Sequence, residues 1–61
     1  MNYEKIAKSN RPYAAVFAYD TDSHYQGDVL STHSTHKLAS AAAARSGYET
    51  FLTIRDARDY V

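Results

Sequence analysis

The stretch that decides the fold spans residues 27–54 and has the sequence GDVLSTHSTHKLASAAAARSGYETFLTI. Its middle is rich in alanine, the residue with the highest intrinsic helix propensity. Ser34 or Thr35 is the expected N-cap, because a hydroxyl there accepts a hydrogen bond from an amide of the first turn. Gly47 is expected just beyond the helix, where left-handed backbone is common. The stretch therefore predicts one helix between two strands.

We expect this helix to bury one narrow stripe, since residues three and four positions apart share a helix face. The stripe comprises Leu38, Ala41, Ala42 and Arg45. It has one leucine and several methyl groups. The helix is therefore expected to approach a sheet closely and to bury little area per turn.

Three strands are expected around the helix. Residues 13–19, YAAVFAY, have two largely apolar faces, which is typical of a strand covered on both sides. Residues 24–31, HYQGDVLS, are expected to return antiparallel after a hairpin loop at 20–23, whose Asp, Thr and Ser residues favour turns. Gly27 within them is expected to mark a bulge or a close backbone approach. Residues 48–55, YETFLTIR, form the third strand.

The alternation of the third strand predicts which of its side chains face the core. Its expected core face comprises Tyr48, Thr50, Leu52 and Ile54. Phe51 then lies on the outer sheet face. Because one helix covers only one side of a sheet, Phe51, Val16 and some of the tyrosines are expected to face water or a partner. Contiguous exposed apolar surface usually marks an interaction site, so a sheet buried on both faces would count against this interpretation.

The two ends of the chain carry weaker patterns. Tyr3, Ile6 and Ala7 have helical spacing, which predicts a short amphipathic turn that ends before Pro12. A flexible arm over residues 1–11, or an edge segment, is the alternative. Residues 56–61, DARDYV, are expected to leave Tyr60 and Val61 available to dock. The predicted fold is a single α+β domain over residues 1–61, with a small antiparallel sheet in the order β-β-α-β and the Ala-rich helix on one face.

The composition excludes several classes of protein. Seven Lys/Arg balance seven Asp/Glu, so the whole chain has neither a basic footprint for nucleic acid nor an acidic surface that imitates DNA. It contains no cysteine, which removes disulfides and thiolate chemistry. The first ten residues contain no apolar run long enough for a signal peptide, and no apolar run in the sequence is long enough to span a membrane. We therefore expect a soluble, cytoplasmic protein with no membrane partner.

His33 and His36 have a spacing that is found in metal sites. If a helix begins at Ser34, however, one histidine precedes it and the other lies in its first turn. Their side chains then need not converge on one ion, and a zinc site needs three or four converging ligands. The sequence predicts no metal site and no cofactor.

The residue types of a hydrolase triad also occur, in Asp28, Ser31, His33, Ser34 and His36. No GxSxG motif is present, and so small a domain leaves little room for a pocket that excludes water. A helix N-terminus is a ready anion site, but no glycine-rich loop precedes this one. The hydroxyls are better explained as helix caps, and we predict that the protein is not an enzyme.

The basic residues supply an alternative function. They are Lys5, Lys8, Arg11, Lys37, Arg45, Arg55 and Arg58. With Tyr13, Tyr25 or Phe51 they would form a stacking patch for single-stranded nucleic acid, in a small regulator. No RNP-like motif is present, so we rank this function below protein binding. A structural homo-oligomer, such as a homodimer, is a further alternative.

The β-β-α-β order with the capped helix STHSTHKLASAAAARSG at residues 31–47 resembles small accessory proteins of bacteriophages and mobile elements, including anti-CRISPR proteins. That resemblance implies a non-enzymatic inhibitor in the host-cell cytoplasm. Such an inhibitor binds a host defence complex, for example a CRISPR effector, and blocks a functional surface. The residues expected outside the helix-covered face form its predicted binding site: Asp20, Asp22, Tyr25, Phe51, Arg55, Arg58 and Tyr60.

Overall fold

The computed structural model describes residues 3–61. Its helices and strands are α1 (Tyr3–Lys8), β1 (Tyr13–Phe17), β2 (Val29–His33), α2 (His36–Arg45) and β3 (Leu52–Asp56). Short 3-10 turns precede and follow β3, at Glu49–Phe51 and Ala57–Tyr60. The strands form one antiparallel sheet with β1 in the centre, in the order β2-β1-β3. This confirms the predicted α+β fold and its β-β-α-β order.

Helix α2 has the predicted ends. The Thr35 side chain accepts a hydrogen bond from the Leu38 amide at 3.1 Å, which is the expected N-cap. At the other end Gly47 has a φ of 86°, in the left-handed region that favours glycine. The hydroxyl and the glycine therefore set the two limits of this helix.

The buried face of α2 differs from the predicted stripe. Ala39 and Ala43 are its buried residues, whereas Leu38 is 51% exposed and Arg45 is also exposed. Ala41 and Ala42 of the predicted stripe are half-buried, so the prediction was wrong for Leu38 and Arg45. Alanine occurs on every side of this helix, so the pattern of apolar residues does not single out one face. The face with the smallest side chains packs on the sheet, which permits a close approach.

The register of the sheet shows what each face presents. Ala15 pairs with Ile54 and Phe17 with Leu52. Tyr13 lies on this same face by alternation, and its ring contacts that of His36 in α2 at 6.2 Å between centroids. The face under α2 therefore includes Leu52 and Ile54, as predicted for these two.

The opposite face of the central strand is also buried. Ala14 is 0% exposed and Val16 is 3% exposed. Tyr3 of α1 stacks on Tyr60 of the C-terminal 3-10 turn, with ring centroids 4.7 Å apart, and both side chains border one cleft with Val16. The expectation that Val16 faces water or a partner is thus wrong. The burial counts against a partner that docks flat on this part of the sheet.

Helix α1 confirms the predicted N-terminal turn. Of the two C-terminal residues expected to be available for docking, Tyr60 packs on α1, whereas Val61 is 70% exposed. Residues 1 and 2, which belong to the alternative of a flexible arm, lie outside the described residues.

The loop between β1 and β2 is longer than predicted and covers residues 18–28. Asp20 Oδ1 accepts from the Gln26 amide at 2.7 Å, and Asp28 Oδ2 accepts from the Tyr25 amide at 2.9 Å. These side chains bind backbone groups that a strand would otherwise pair. Gly27, with a φ of 93°, therefore lies in a turn and not in a strand.

Two further details of the strands differ from the predictions. The bulge occurs where the β1–β2 register shifts between Ala15 and Val16. Strand β3 begins at Leu52, so Phe51 lies in a 3-10 turn and not on an outer sheet face. Neither helix in the described part of the chain has the length and apolar character needed to cross a membrane.

Candidate binding surface

A cleft of about 400 Å³ opens between the β1–β2 loop and the 3-10 turn Glu49–Phe51. We call it the loop cleft. It is lined by Asp20, Thr21, Asp22, Ser23, Tyr48 and Phe51. It thus combines two carboxylates with two aromatic rings, and Phe51 is 40% exposed.

The loop side of this cleft is held by local hydrogen bonds. Thr21 Oγ1 accepts from the amides of Ser23 at 3.2 Å and His24 at 2.9 Å. The Thr21 amide donates to the His24 carbonyl at 2.7 Å. With the bond from Gln26 to Asp20, these contacts fix the backbone that carries the two aspartates.

The aromatic side of the cleft rests on the core. The His24 ring stacks on Phe17 with centroids 4.3 Å apart and a 9° angle between planes. Tyr48 packs edge-on against both rings, at 5.4 Å from each. Phe17 is the one large side chain below 2% exposure among the described residues. Tyr48 is therefore held by the best-packed part of the molecule.

A small polar network joins the two sides. Ser23 Oγ lies 2.8 Å from His24 Nδ1 and 3.4 Å from the Tyr48 hydroxyl. This network links the loop to the residue that precedes the 3-10 turn. The shape of the cleft is thus set by contacts across it as well as within the loop.

The β1–β2 loop contains no lysine or arginine that would neutralise the negative charge of Asp20 and Asp22 in the cleft. Residues 12–36 contain three aspartates and neither lysine nor arginine. Asp22 is exposed and forms no hydrogen bond or ion pair with any residue from 3 to 61. The cleft therefore offers a carboxylate beside aromatic surface, an arrangement that attracts cations.

The structure separates the seven predicted binding residues. Asp20, Asp22 and Phe51 meet in the loop cleft. Tyr25 is 74% exposed and stands outside it. The remaining three, Arg55, Arg58 and Tyr60, lie on β3 and in the C-terminal turn.

Arg58 is engaged within the molecule. Its guanidinium donates to Asp56 at 2.7, 2.9 and 3.2 Å and to the Tyr13 hydroxyl at 3.1 Å. The hydrogen bond from Arg58 lowers the pKa of Asp56, and Asp56 in turn raises the pKa of Arg58. The prediction that Arg58 contacts a partner stays untested, but its charge is already paired.

Arg55 and Tyr60 form a second group. Arg55 Nη1 donates to the Tyr60 hydroxyl at 2.7 Å, and the guanidinium carbon lies 5.7 Å from the Tyr60 ring centroid. Arg55 is paired with Ala14 in the sheet register, so it lies on the face opposite α2. This group is therefore distinct from the loop cleft.

Sequence reasoning missed Tyr48, Thr21 and Ser23 as lining residues. Tyr48 was assigned to the core face of a strand, although it follows the helix-terminating Gly47 directly. The Tyr48 amide donates to Ser46 Oγ at 3.0 Å, so the chain turns here before β3 begins. The Ser46–Gly47 pair is the signal in the sequence that favours a turn over a strand at this point.

The histidines do not assemble a metal site or a triad in the described part of the chain. No group of three or more His, Cys, Asp or Glu side chains is placed there to hold a metal ion. Each histidine instead lies beside a serine hydroxyl: His24 beside Ser23, His33 beside Ser31 and His36 beside Ser40. Across residues 3–61 none of the three forms a hydrogen bond or ion pair with a carboxylate.

No protein-family model, no curated protein and no solved structure matches this chain.

Proposed function

We propose that this protein is a non-enzymatic protein-binding module that contacts its partner through the loop cleft. The observation that carries the proposal is the joint placement of Asp20, Asp22 and Phe51 around one cavity. Aromatic side chains are among the usual anchors of protein interfaces. The proposed binding site therefore lies at the loop end of the molecule and not on the outer sheet face.

The chemistry of the cleft indicates what enters it. Two carboxylates beside Tyr48 and Phe51 favour a lysine or arginine side chain, which gains both charge pairing and a cation–π contact. The hydrogen bonds of the loop reduce the ordering that binding requires, and pre-organised surfaces bind more tightly for that reason. A basic segment of a partner protein is thus the expected ligand.

The narrower hypothesis, inhibition of a host defence complex such as a CRISPR effector, rests on the resemblance in architecture alone. A basic ligand for the loop cleft is compatible with nucleic-acid-handling complexes, which expose lysine and arginine to bind phosphates. Blocking such a basic surface would inhibit the complex. This part of the proposal stays a prediction about the partner.

The test is an affinity capture from bacterial lysate, divided into nuclease-treated and untreated halves, with wild-type protein and matched variants. Phe51→Ala and Asp22→Asn change the loop cleft, whereas Tyr25→Ala removes an exposed aromatic ring outside it. We expect wild type and Tyr25→Ala to retain the same partner and both cleft variants to lose most of it. Circular dichroism of each variant establishes that it is folded.

Two outcomes would contradict this proposal. Equal capture by wild type, Phe51→Ala and Asp22→Asn would show that the partner binds elsewhere. Capture that disappears on nuclease treatment and weakens steeply with salt would support the nucleic-acid alternative instead.

A further inference from the structure

A second cleft lies on the opposite face of the sheet, with a volume of about 210 Å³. We call it the terminal cleft, because the N-terminal helix and the C-terminal turn both border it. The residues on which the argument depends are Tyr3, Val16, Gln26, Gly27, Arg55 and Tyr60. It lies apart from the loop cleft and does not share a lining residue with it.

Arg55 is held in a defined orientation at this cleft. The Tyr60 hydroxyl accepts from Nη1 at 2.7 Å, and the Tyr60 ring lies beneath the guanidinium. Tyr60 is in turn stacked on Tyr3, with planes 19° apart. The Arg55 side chain is therefore already partly ordered in the free protein, so binding a ligand costs less side-chain entropy.

Arg58 forms an ion pair that Arg55 lacks, although both arginines contact a tyrosine ring. Both guanidinium groups lie over a tyrosine ring, at 5.4 Å for Arg58 and 5.7 Å for Arg55. Arg58 also forms an ion pair with Asp56 at 2.7 Å. Arg55, by contrast, forms no ion pair with any carboxylate among residues 3–61. Its charge is oriented but uncompensated.

Several backbone donors at the cleft are already used. The backbone N–H groups of Phe17, Ala18 and Gly27 donate to the carbonyls of Asp28, Phe51 and Phe17. The N–H group of Gln26 donates to Asp20. The planar fork of a guanidinium donates two parallel hydrogen bonds to the two oxygens of one carboxylate. Since Arg55 is the one charged residue among the described residues that line the cleft, a single carboxylate matches the charge of the site.

We propose that the terminal cleft binds an aspartate or glutamate side chain of a partner protein, with Arg55 as the anion receptor. The charge complementarity between Arg55 and the carboxylate selects this ligand. The site is independent of the proposed function of the loop cleft.

The test is an NMR titration of the folded protein with two short peptides, acetyl-Leu-Glu-Leu-amide and its neutral match acetyl-Leu-Gln-Leu-amide. Only the glutamate peptide is expected to cause saturable shifts at Arg55, Tyr60 and Val16. Arg55→Gln should weaken binding by about tenfold or more, since hydrogen bonds to charged groups contribute on that scale. Arg58→Gln is the matched control and should leave the affinity within about twofold.

Several results would overturn the proposal. The first is equal binding of the two peptides, and the second is equal loss of affinity in Arg55→Gln and Arg58→Gln. If inorganic phosphate shifts the same resonances and binds more tightly than the glutamate peptide, then phosphate and not a carboxylate is the ligand of this cleft. If the same resonances shift with protein concentration in the absence of peptide, then a second copy of the chain occupies the terminal cleft.

Discussion

At the scale of single residues, the pair formed by Asp56 and Arg58 makes stability depend on pH. The hydrogen bond from Arg58 lowers the pKa of Asp56 in the folded protein below its value in the unfolded chain. A carboxyl with a lowered folded pKa contributes stability that is fully present above the unfolded pKa, about 3.9 for aspartate. That contribution is lost as the pH falls through the folded pKa.

We therefore expect Asp56→Asn to lower the melting temperature at neutral pH and to have progressively less effect as the pH falls through the folded pKa of Asp56. Asparagine still accepts the hydrogen bond from the Arg58 amide that Asp56 accepts at 3.0 Å, so the variant chiefly removes the charge. Asp59→Asn is the control, because Asp59 forms no hydrogen bond or ion pair with any other residue in the described range. A difference between wild type and Asp56→Asn that is independent of pH would contradict the electrostatic explanation.

At the scale of the elements, helix α1 depends on its contact with the C-terminal turn. It has six residues and buries none of them, and an isolated helix of this length is unstable in water. Its clearest tertiary contact is the stack of Tyr3 on Tyr60. Such aromatic pairs contribute about 0.5–1.5 kcal/mol beyond the burial of their surface.

We expect Tyr60→Ala to release α1, to lower helical circular dichroism and to speed amide exchange at residues 4–8. Tyr60→Phe keeps the ring and loses only the hydroxyl contact with Arg55, so α1 should stay docked. A loss of about 1 kcal/mol corresponds to a fall of roughly 4–8 °C in melting temperature for a domain of this size. Unchanged exchange in Tyr60→Ala would show that other contacts hold the helix.

The elements also show what the sequence pattern predicts and where it fails. The ends of α2 were predictable because a capping hydroxyl and a positive-φ glycine act locally. The buried face of α2 was not, since Ala39 and Ala43 differ from the other alanines only in the tertiary structure. The predicted strand at residues 24–31 begins before the observed β2. Asp20 and Asp28 fix this segment as a loop through side-chain hydrogen bonds, which a pattern of apolar residues does not reveal.

At the scale of the whole molecule, the sequence predicts that α2 covers one face of the sheet. It does not predict that α1 and the C-terminal turn cover the opposite face. The stack of Tyr3 on Tyr60 joins the two ends of the chain, and no local pattern pairs residues so far apart. The loop cleft was predicted in part, through Asp20, Asp22 and Phe51. Tyr48 was missed because its place follows from the fold around Phe17.

The core of this molecule is small enough for one side chain to decide its stability. Phe17 is 1% exposed, and the other buried apolar residues from 3 to 61 are five alanines, Val16 and Pro12. A chain of 61 residues has about 3–9 kcal/mol of total stability at roughly 0.05–0.15 kcal/mol per residue. Truncating a buried phenylalanine to alanine costs about 3–5 kcal/mol.

We therefore expect Phe17→Ala to be largely unfolded in water. Phe51→Ala, the same change at a residue that is 40% exposed, should cost well under half as much, so this variant should keep a folded baseline and a clear transition in urea. Each denaturation curve is measured at two protein concentrations. Association stabilises the folded state by mass action, so a urea midpoint that rises with protein concentration would indicate that copies of the chain associate. If the two variants also lost equal stability, Phe51 would lie in the interface between those copies. A midpoint independent of concentration and a large difference between the variants would establish that Phe17 stabilises a folded monomer.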